Sequence, residues 1–199
     1  MLKTLEPYIL SFIPIFVAVD ALGNIPIFTS LVEGMSHKHK QKIIAKSVIT
    51  AATLAILFMF IGKLVLEVLG ITIFDFQIAG GALLFIIAIR FLMPGSQKIA
   101  LSNGHDKDIG VFPLGTPLIT GPAVLTTTLM MLDSFGFMPT FVSLFLNMLI
   151  VWACLAASER IIKFLGTGGI RAFAKIMYIL LAAIGVMMVR RGIVGAFLR

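Results

Sequence analysis

The chain has 199 residues, of which 59% are hydrophobic and only 13% are charged. Ordinary soluble domains carry about 25% charged residues, so this composition excludes a soluble globular domain. The formal net charge of +7 does not indicate a nucleic-acid partner, because the cations lie at the ends of apolar segments and not on a separate basic face. With a mean hydropathy of +1.09, the chain is predicted to be an all-α membrane protein.

Apolar stretches fill most of the chain, and each is close to the length of about 20 residues that a helix needs to cross the hydrocarbon core. Six spans are predicted, at Tyr8–Leu31, Ile43–Val68, Thr72–Met93, Ile109–Leu132, Met138–Ser158 and Ala172–Ala196. The first is interpreted as a span and not as a cleaved signal, because Lys3 and Glu6 replace a strongly positive start. We therefore expect one multi-pass membrane domain.

A single substantial polar stretch, residues 96–108, separates the third predicted span from the fourth. Because this stretch is rich in turn formers and charge, it is interpreted as a linker between two three-span halves, residues 1–95 and 109–199. Three crossings are an odd number, so the second half enters the membrane from the opposite side. The sequence thus predicts two inverted three-helix repeats.

Lys and Arg residues are distributed unequally over the two sides of these spans. Eleven lie on one side and five on the other, which accounts for all sixteen. Because loops rich in Lys and Arg face the cytoplasm, both termini are predicted to lie outside it, with the chain in the cell (inner) membrane. Arg190 and Arg191, near the outer end of the last span, would then extend toward the interface.

The first span of each half is interrupted by proline, glycine and polar residues. The matched positions are Asp20 with Thr116, Asn24 with Thr120 and Pro26 with Pro122, each pair ninety-six positions apart. Proline has no amide hydrogen and clashes with the preceding turn, so both helices are predicted to break about halfway along. Backbone groups freed at membrane depth persist only inside protein or beside a wet cavity. Paired breaks of this kind are typical of a transporter binding site near the bilayer midplane.

Several residues around these breaks are candidates for the site. An acid at membrane depth, here Asp20, needs a partner or water; it could carry a coupling proton, lie beside a cation, or only hydrogen-bond the unwound backbone. Asn24 and Thr120 could bind a carboxylate or simply cap the second half-helix of each break. Gly23 and Gly121 would let backbone carbonyls and amides line a pocket, which suits a small zwitterion.

Two further glycines, Gly80 and Gly81, lie in the third span. Small residues let membrane helices approach closely, and this pair could serve packing alone or contribute to the pocket wall.

Signatures of an enzyme or a metal site were sought and not found in the sequence. It contains no H-E-x-x-H or G-x-S-x-G motif and no paired-cysteine spacing. His37, His39 and His105 fall in polar loops, where a solvated face is the expected role. The chain is predicted to be no enzyme and to need no cofactor or metal.

The two interrupted segments resemble the two signatures of the MarC family of six-span integral membrane proteins. Residues 20–28 are similar to N-P-x-G-N-x-P-x-F, with Asp20 and Ala21 as departures, and residues 112–122 are similar to F-P-L-x-x-P-x-x-x-G-P. The resemblance covers essentially the whole chain and includes the Ala79-Gly80-Gly81 triplet. It implies a secondary transporter of the SnatA type for glycine, alanine or similar small neutral amino acids. Coupling to a proton or sodium gradient, and a site between the broken helices, are implied as well.

Two other interpretations stay open on the sequence. A channel or exporter for another small solute would use the same broken helices without counter-ion dependence or saturable exchange. A membrane scaffold would contain the breaks as packing features and would tolerate substitution of Asn24 and Thr120.

Overall fold

A computed structural model describes residues 2–93 and 110–197, and every regular element in these two ranges is a helix. The first range contains α1 (Leu2–Val19), α2 (Asn24–Leu31), α3 (His37–Leu69) and α4 (Ile73–Leu92). The second contains a π-helical turn (Leu114–Ile119), α5 (Pro122–Phe135) and α6 (Phe137–Phe197). The predicted linker at residues 96–108 lies outside the described residues. The all-α prediction is confirmed for the part of the chain that the structure describes.

Five segments among the described residues are long and apolar enough to cross a membrane. They are Leu5–Leu31, His37–Leu69, Ile73–Arg90, Phe137–Arg160 and Lys175–Phe197. The predicted fourth span corresponds instead to the π-helical turn followed by α5, neither of which reaches the length of about 20 residues that a span needs. A multi-pass architecture is therefore established, while the count of six and the inverted repeat stay predictions.

Two glycines with positive φ interrupt the long helices. Gly70 ends α3 in the left-handed region, with φ 67° and ψ 21°, a conformation that glycine adopts without strain. Immediately afterwards Thr72 and Asp75 form a reciprocal cap that starts α4, in which each backbone amide donates to the side chain of the other residue. Gly166 interrupts α6 with φ 70° and ψ 166°, which divides that helix into two arms.

The helix α4 packs closely against the second arm of α6, because glycines bring the two backbones together. An atom added at the Cβ position of Gly81 would lie 2.6 Å from the carbonyl oxygen of Gly185. One added to Gly192 would lie 2.7 Å from the carbonyl oxygen of Phe74. Small residues are the usual means of close helix association in membranes.

Polar contacts inside the bundle hold α1 against the first arm of α6. The hydroxyls of Ser11 and Ser143 share a hydrogen bond of 2.7 Å. One turn farther along α6, the Asn147 amide donates to the carbonyl of Phe12 at 3.4 Å. These contacts fix the position of α1 along the first arm of α6.

The buried apolar core surrounds the points where the first and fourth predicted spans are interrupted. Its largest fully buried side chains include Ile15 of α1, Phe28 of α2, Ile44 of α3, and Leu114 and Ile119 of the π-helical turn. Fully buried apolar side chains therefore come from both interrupted segments and from the helices around them.

Replacing Gly81 with Val tests the close contact of α4 and α6. The new side chain would meet the Gly185 carbonyl, which is backbone and cannot rotate away, so we expect a loss of stability at the upper end of the usual overpacking range of about 1–3 kcal/mol. The matched control is Ala82→Val, since Ala82 is the exposed neighbour on the same helix. Thermal unfolding in detergent measures both, and equal melting temperatures would contradict the packing role.

Candidate functional site

The first break lies at residues 20–23, between α1 and α2. Asp20 has φ 46°, in the left-handed region that Asp and Asn tolerate better than most residues. Its carboxylate accepts a hydrogen bond of 3.1 Å from the backbone amide of Gly23. A Cβ atom on Gly23 would collide with that carboxylate, so a side chain at position 23 would displace it. Asp20 therefore satisfies the Gly23 amide just before α2 begins.

Asn24 provides hydrogen bonds to the backbone at the end of α1, on the other side of the first break. Its side-chain amide donates to the carbonyl oxygens of Val19 at 2.9 Å and Asp20 at 3.0 Å. These carbonyls are freed where α1 ends. The prediction that Asn24 caps the second half-helix is wrong, because its donors point back to α1 and no side chain at the N-cap of α2 makes a capping bond.

The prolines begin helices here and do not kink them. Pro26 is the third residue of α2 and Pro122 is the first residue of α5. At the start of a helix the missing amide of proline removes no intrahelical bond. The first break consequently precedes Pro26 by three residues or more.

The second break is built differently. Thr116 has φ −140° and ψ 130°, an extended conformation inside the π-helical turn. Gly121 is the N-cap of α5, and a Cβ atom there would collide with the carbonyl oxygen of Pro117. The first backbone bond of α5 runs from the amide of Leu125 to Gly121 at 3.0 Å. The amides of Ala123 and Val124 precede this bond, and Gly121 has no side chain to cap them.

Two hydroxyls at the second break are buried and lack a partner within the described part of the chain. They belong to Thr116 and Thr120, and Thr120 is completely buried. The predicted capping role of Thr120 is wrong, since no side chain caps α5. Buried polar groups nearly always have a hydrogen-bond partner, so an orphaned hydroxyl indicates a water or ligand position.

One cavity joins the two breaks. Its volume, measured as the space open to the centre of a water molecule, is about 30 Å³. The first break contributes Asp20, Gly23 and Asn24 to the lining, and the second contributes Pro117, Leu118 and Gly121. The remaining wall consists of Ala18, Val19, Ile27, Leu84, Ala123, Val124, Met177, Leu181 and Ile184. The segments singled out by the sequence are thus neighbours in space.

Charge is distributed unevenly over the lining of this cavity. Asp20 is the one ionisable residue in the lining, and it comes from the first break. Another part of the lining comes from the start of α5, where the positive end of the helix dipole favours a negative group. The lining therefore combines an acidic residue of the first break with residues at the start of a helix in the second.

The predicted site residues divide into three groups. Asp20, Gly23, Asn24 and Gly121 line the cavity. Four others lie in the same two segments but do not line the cavity: Thr116, Thr120, Pro26 and Pro122. Of the glycines in α4, Gly80 faces Pro122 so closely that a Cβ atom would collide with the proline ring, whereas Gly81 packs against α6.

The apolar wall was missed by the sequence analysis. Leu84, Met177, Leu181 and Ile184 line the cavity, but apolar residues facing a cavity have the same periodicity as those facing a neighbouring helix. No sequence signal separates the two cases. No group of three potential metal ligands occurs among the described residues.

A double-mutant cycle tests the first break. Gly23→Ala should destabilise the protein by about 1–3 kcal/mol, because its methyl group overlaps the Asp20 carboxylate. Asp20→Gly removes that carboxylate and keeps the left-handed turn free of strain, so adding it to Gly23→Ala should restore much of the loss. Thermal unfolding of the two single variants and the double variant in detergent gives the coupling energy. Simple additivity would show that the two residues do not contact each other.

Comparison with known proteins places these features in a family. Residues 5–197 match the profile described as MarC family integral membrane protein. A UPF0056 membrane protein of Archaeoglobus fulgidus is 32% identical over 92% of this chain and 90% of its own length. Another, from Methanocaldococcus jannaschii, is 33% identical over 96% of this chain and 88% of its own length. No solved structure matches the chain. The chain therefore belongs to the MarC family of integral membrane proteins.

Proposed function

We propose that this protein is a secondary transporter of small neutral amino acids such as glycine and alanine, driven by a proton or sodium gradient. The observation that carries the proposal is the cavity shared by the two breaks, with Asp20 and the uncapped start of α5 both in its lining. The printed names of the relatives describe them as membrane proteins and give no substrate.

A zwitterionic amino acid matches these two parts of the lining. Its ammonium group needs acceptors, which the Asp20 carboxylate supplies at the first break. Its carboxylate group needs donors, for which the amides of Ala123 and Val124 at the start of α5 are the candidates. The Thr120 hydroxyl does not line the cavity in this structure, and on this proposal it reaches the ligand only when the cavity widens to admit it.

The dimensions of the cavity favour a small ligand. A volume of about 30 Å³ on this measure holds about two water molecules. Apolar side chains such as Leu84, Leu181 and Ile184 close the cavity around this space. Modest displacement of these side chains would admit glycine or alanine, whereas a long side chain would require the surrounding helices to separate.

A six-span inverted repeat is part of the proposal, and the backbone supplies support for it. The offset of ninety-six positions that relates Pro26 to Pro122 also relates Gly70 to Gly166. Both glycines have a positive φ, 67° and 70°, and each lies between two long helical segments, although their ψ angles differ, 21° against 166°. In the proposed architecture, the two halves move against each other around the cavity, with both termini outside the cytoplasm in the inner membrane.

The direct test is uptake of a panel of labelled amino acids into proteoliposomes, with and without imposed proton and sodium gradients. We expect saturable uptake of glycine and alanine that one of the two gradients drives. Flux that rises linearly with concentration and ignores both gradients would favour a channel for another solute. Absence of any flux, with the folded protein verified, would favour the scaffold interpretation.

Thr120→Val separates a binding role of the orphaned hydroxyl from a structural one. Valine has nearly the same shape and removes a buried unpaired group, so the melting temperature should stay the same or rise. Glycine affinity should nevertheless fall by about 1–3 kcal/mol, because the ligand loses a hydrogen bond. Isothermal titration calorimetry on the folded variant measures the loss.

The matched control for that variant is Thr128→Val. Thr128 is equally buried, but its hydroxyl donates to the carbonyl of Val124 at 2.7 Å within α5. Its replacement should leave glycine affinity unchanged. If Thr120→Val and Thr128→Val behave alike, the Thr120 hydroxyl does not bind the substrate.

Asp20→Asn tests whether this acid couples transport to protons. Asparagine keeps an oxygen that can accept from the Gly23 amide and tolerates a left-handed φ, so only the titratable charge is lost. Burial penalises the charged form of an acid at membrane depth, which allows a proton to bind and leave. We expect uptake by the variant to lose its dependence on pH, while Asp75→Asn at the exposed start of α4 retains it. Unaltered pH dependence in Asp20→Asn would assign the coupling to another group.

A further inference from the structure

Ion pairs lie at both ends of the long helix α3. At its start, Glu159 of α6 contacts His37 at 3.1 Å and Lys40 at 3.2 Å. Near its other end, Lys63 contacts Asp133 of α5 at 3.6 Å. Twenty-six positions separate His37 from Lys63, which corresponds to about 39 Å along a helix. The hydrocarbon core is about 30 Å thick, so the two contacts lie on opposite sides of the membrane.

The internal offset of the chain relates these two contacts to each other. Lys63 and Glu159 are ninety-six positions apart, and so are His37 and Asp133. Exchanging the two halves therefore converts the Lys63–Asp133 pair into the Glu159–His37 pair. The signs of the charges are reversed, but the positions are the same. An ion pair between equivalent helix positions thus occurs in both halves, once on each side of the membrane.

The two contacts differ in exposure. On the first side, Glu159 contacts both Lys40, whose side chain is 22% exposed, and His37, whose side chain is 66% exposed. On the second side, the Lys63 and Asp133 side chains are 66% and 56% exposed. The second pair also borders a cavity of about 510 Å³ between the ends of α3, α4 and α5. The Lys40–Glu159 contact is therefore less exposed than the Lys63–Asp133 contact, and only the second contact borders this cavity.

The outer cavity and the central cavity are lined by different parts of the same two helices. On α5, Ala123 and Val124 line the central cavity, and Leu129, Met130, Leu132 and Asp133 line the outer one. On α4, Leu84 faces the central cavity, while Phe74 and Gln77 face the outer one. Separation of the ends of α3 and α5 would open a route along these walls.

We propose that the two ion pairs are the two gates of the transporter. Glu159 with His37 and Lys40 closes one side, and Lys63 with Asp133 closes the other. The inference rests on the proposed transport function. Exposed ion pairs are individually weak, so loss of one should change the ratio of the two open states by up to about fivefold. A change of this size shifts the populations of the two open states but leaves both of them accessible.

The test follows access to the central cavity with a reporter cysteine, so that it needs no substrate. The single cysteine is first removed as Cys154→Ala, and Ala123→Cys is introduced in the cavity wall. Labelling by a charged, membrane-impermeant thiol reagent is then timed in right-side-out and inside-out vesicles. The two rates report opening toward each side.

Glu159→Lys and Asp133→Lys each place like charges together at one gate. We expect each variant to raise the labelling rate from its own side by about two- to tenfold and to lower it from the other side. Adding Lys63→Asp to Asp133→Lys restores an opposite-charge pair and should return both rates toward those of the parent. This double variant also shows that the single variant was not simply misfolded.

Glu67→Lys serves as the matched control, because Glu67 borders the outer cavity but makes no ion pair with a described residue. It should leave both labelling rates unchanged. Rates that change in the same direction from both sides, or that the charge exchange does not restore, would overturn the gate assignment. If the gate variants shift labelling as expected but the protein takes up no amino acid, the gate assignment stands and the proposed substrate is wrong. If the protein takes up amino acids but its gate variants are labelled like the parent, the gate assignment is wrong and the proposed substrate stands.

Discussion

The need to satisfy backbone groups without bulk water governs this structure. Wherever a helix stops at membrane depth, its free carbonyls and amides must find partners in the protein or line a wet cavity. At the first break, Asn24 takes up the carbonyls of Val19 and Asp20, and Asp20 in turn accepts the Gly23 amide. The second break has no such side-chain cap. The amides of Ala123 and Val124 are thereby left without a side-chain cap, in residues that line the cavity.

Glycine provides the second requirement, close approach of polypeptide backbone. Gly23 and Gly121 leave room for a carboxylate and a carbonyl beside the breaks, and Gly80 lets α4 reach Pro122 at the start of α5. Gly81 and Gly185 then bring α4 against the second arm of α6, whose neighbouring residues form part of the cavity wall. The contacts that pack these helices together are therefore the same contacts that shape the site. For this reason the sequence could not assign Gly80 and Gly81 to packing alone or to the pocket wall.

The helical class and the membrane setting could be predicted from apolar run length, and proline and glycine marked the two interrupted segments. The expected kinks at the prolines were wrong, because Pro26 and Pro122 lie at the starts of helices. The direction of capping could not be predicted either. The amide of Asn24 can reach forward or backward, and the choice depends on the left-handed turn at Asp20, which sequence spacing does not reveal. The wall residues Leu84 and Met177 could not be found either, because a cavity inside an apolar bundle is lined by ordinary apolar residues.

A site formed by two related halves has two equivalent sides, whereas a zwitterion has two different ends. If the repeat were exact in its side chains, it would offer the same chemistry to the ammonium and to the carboxylate. On the proposed repeat, the matched positions carry different side chains: Asp20 corresponds to Thr116, and Asn24 to Thr120. The first half contributes a carboxylate to the lining and uses Asn24 to bind its own backbone carbonyls, while the second half contributes a helix start without a side-chain cap. On the proposed function, this difference gives the site the polarity that binding an amino acid in one orientation requires.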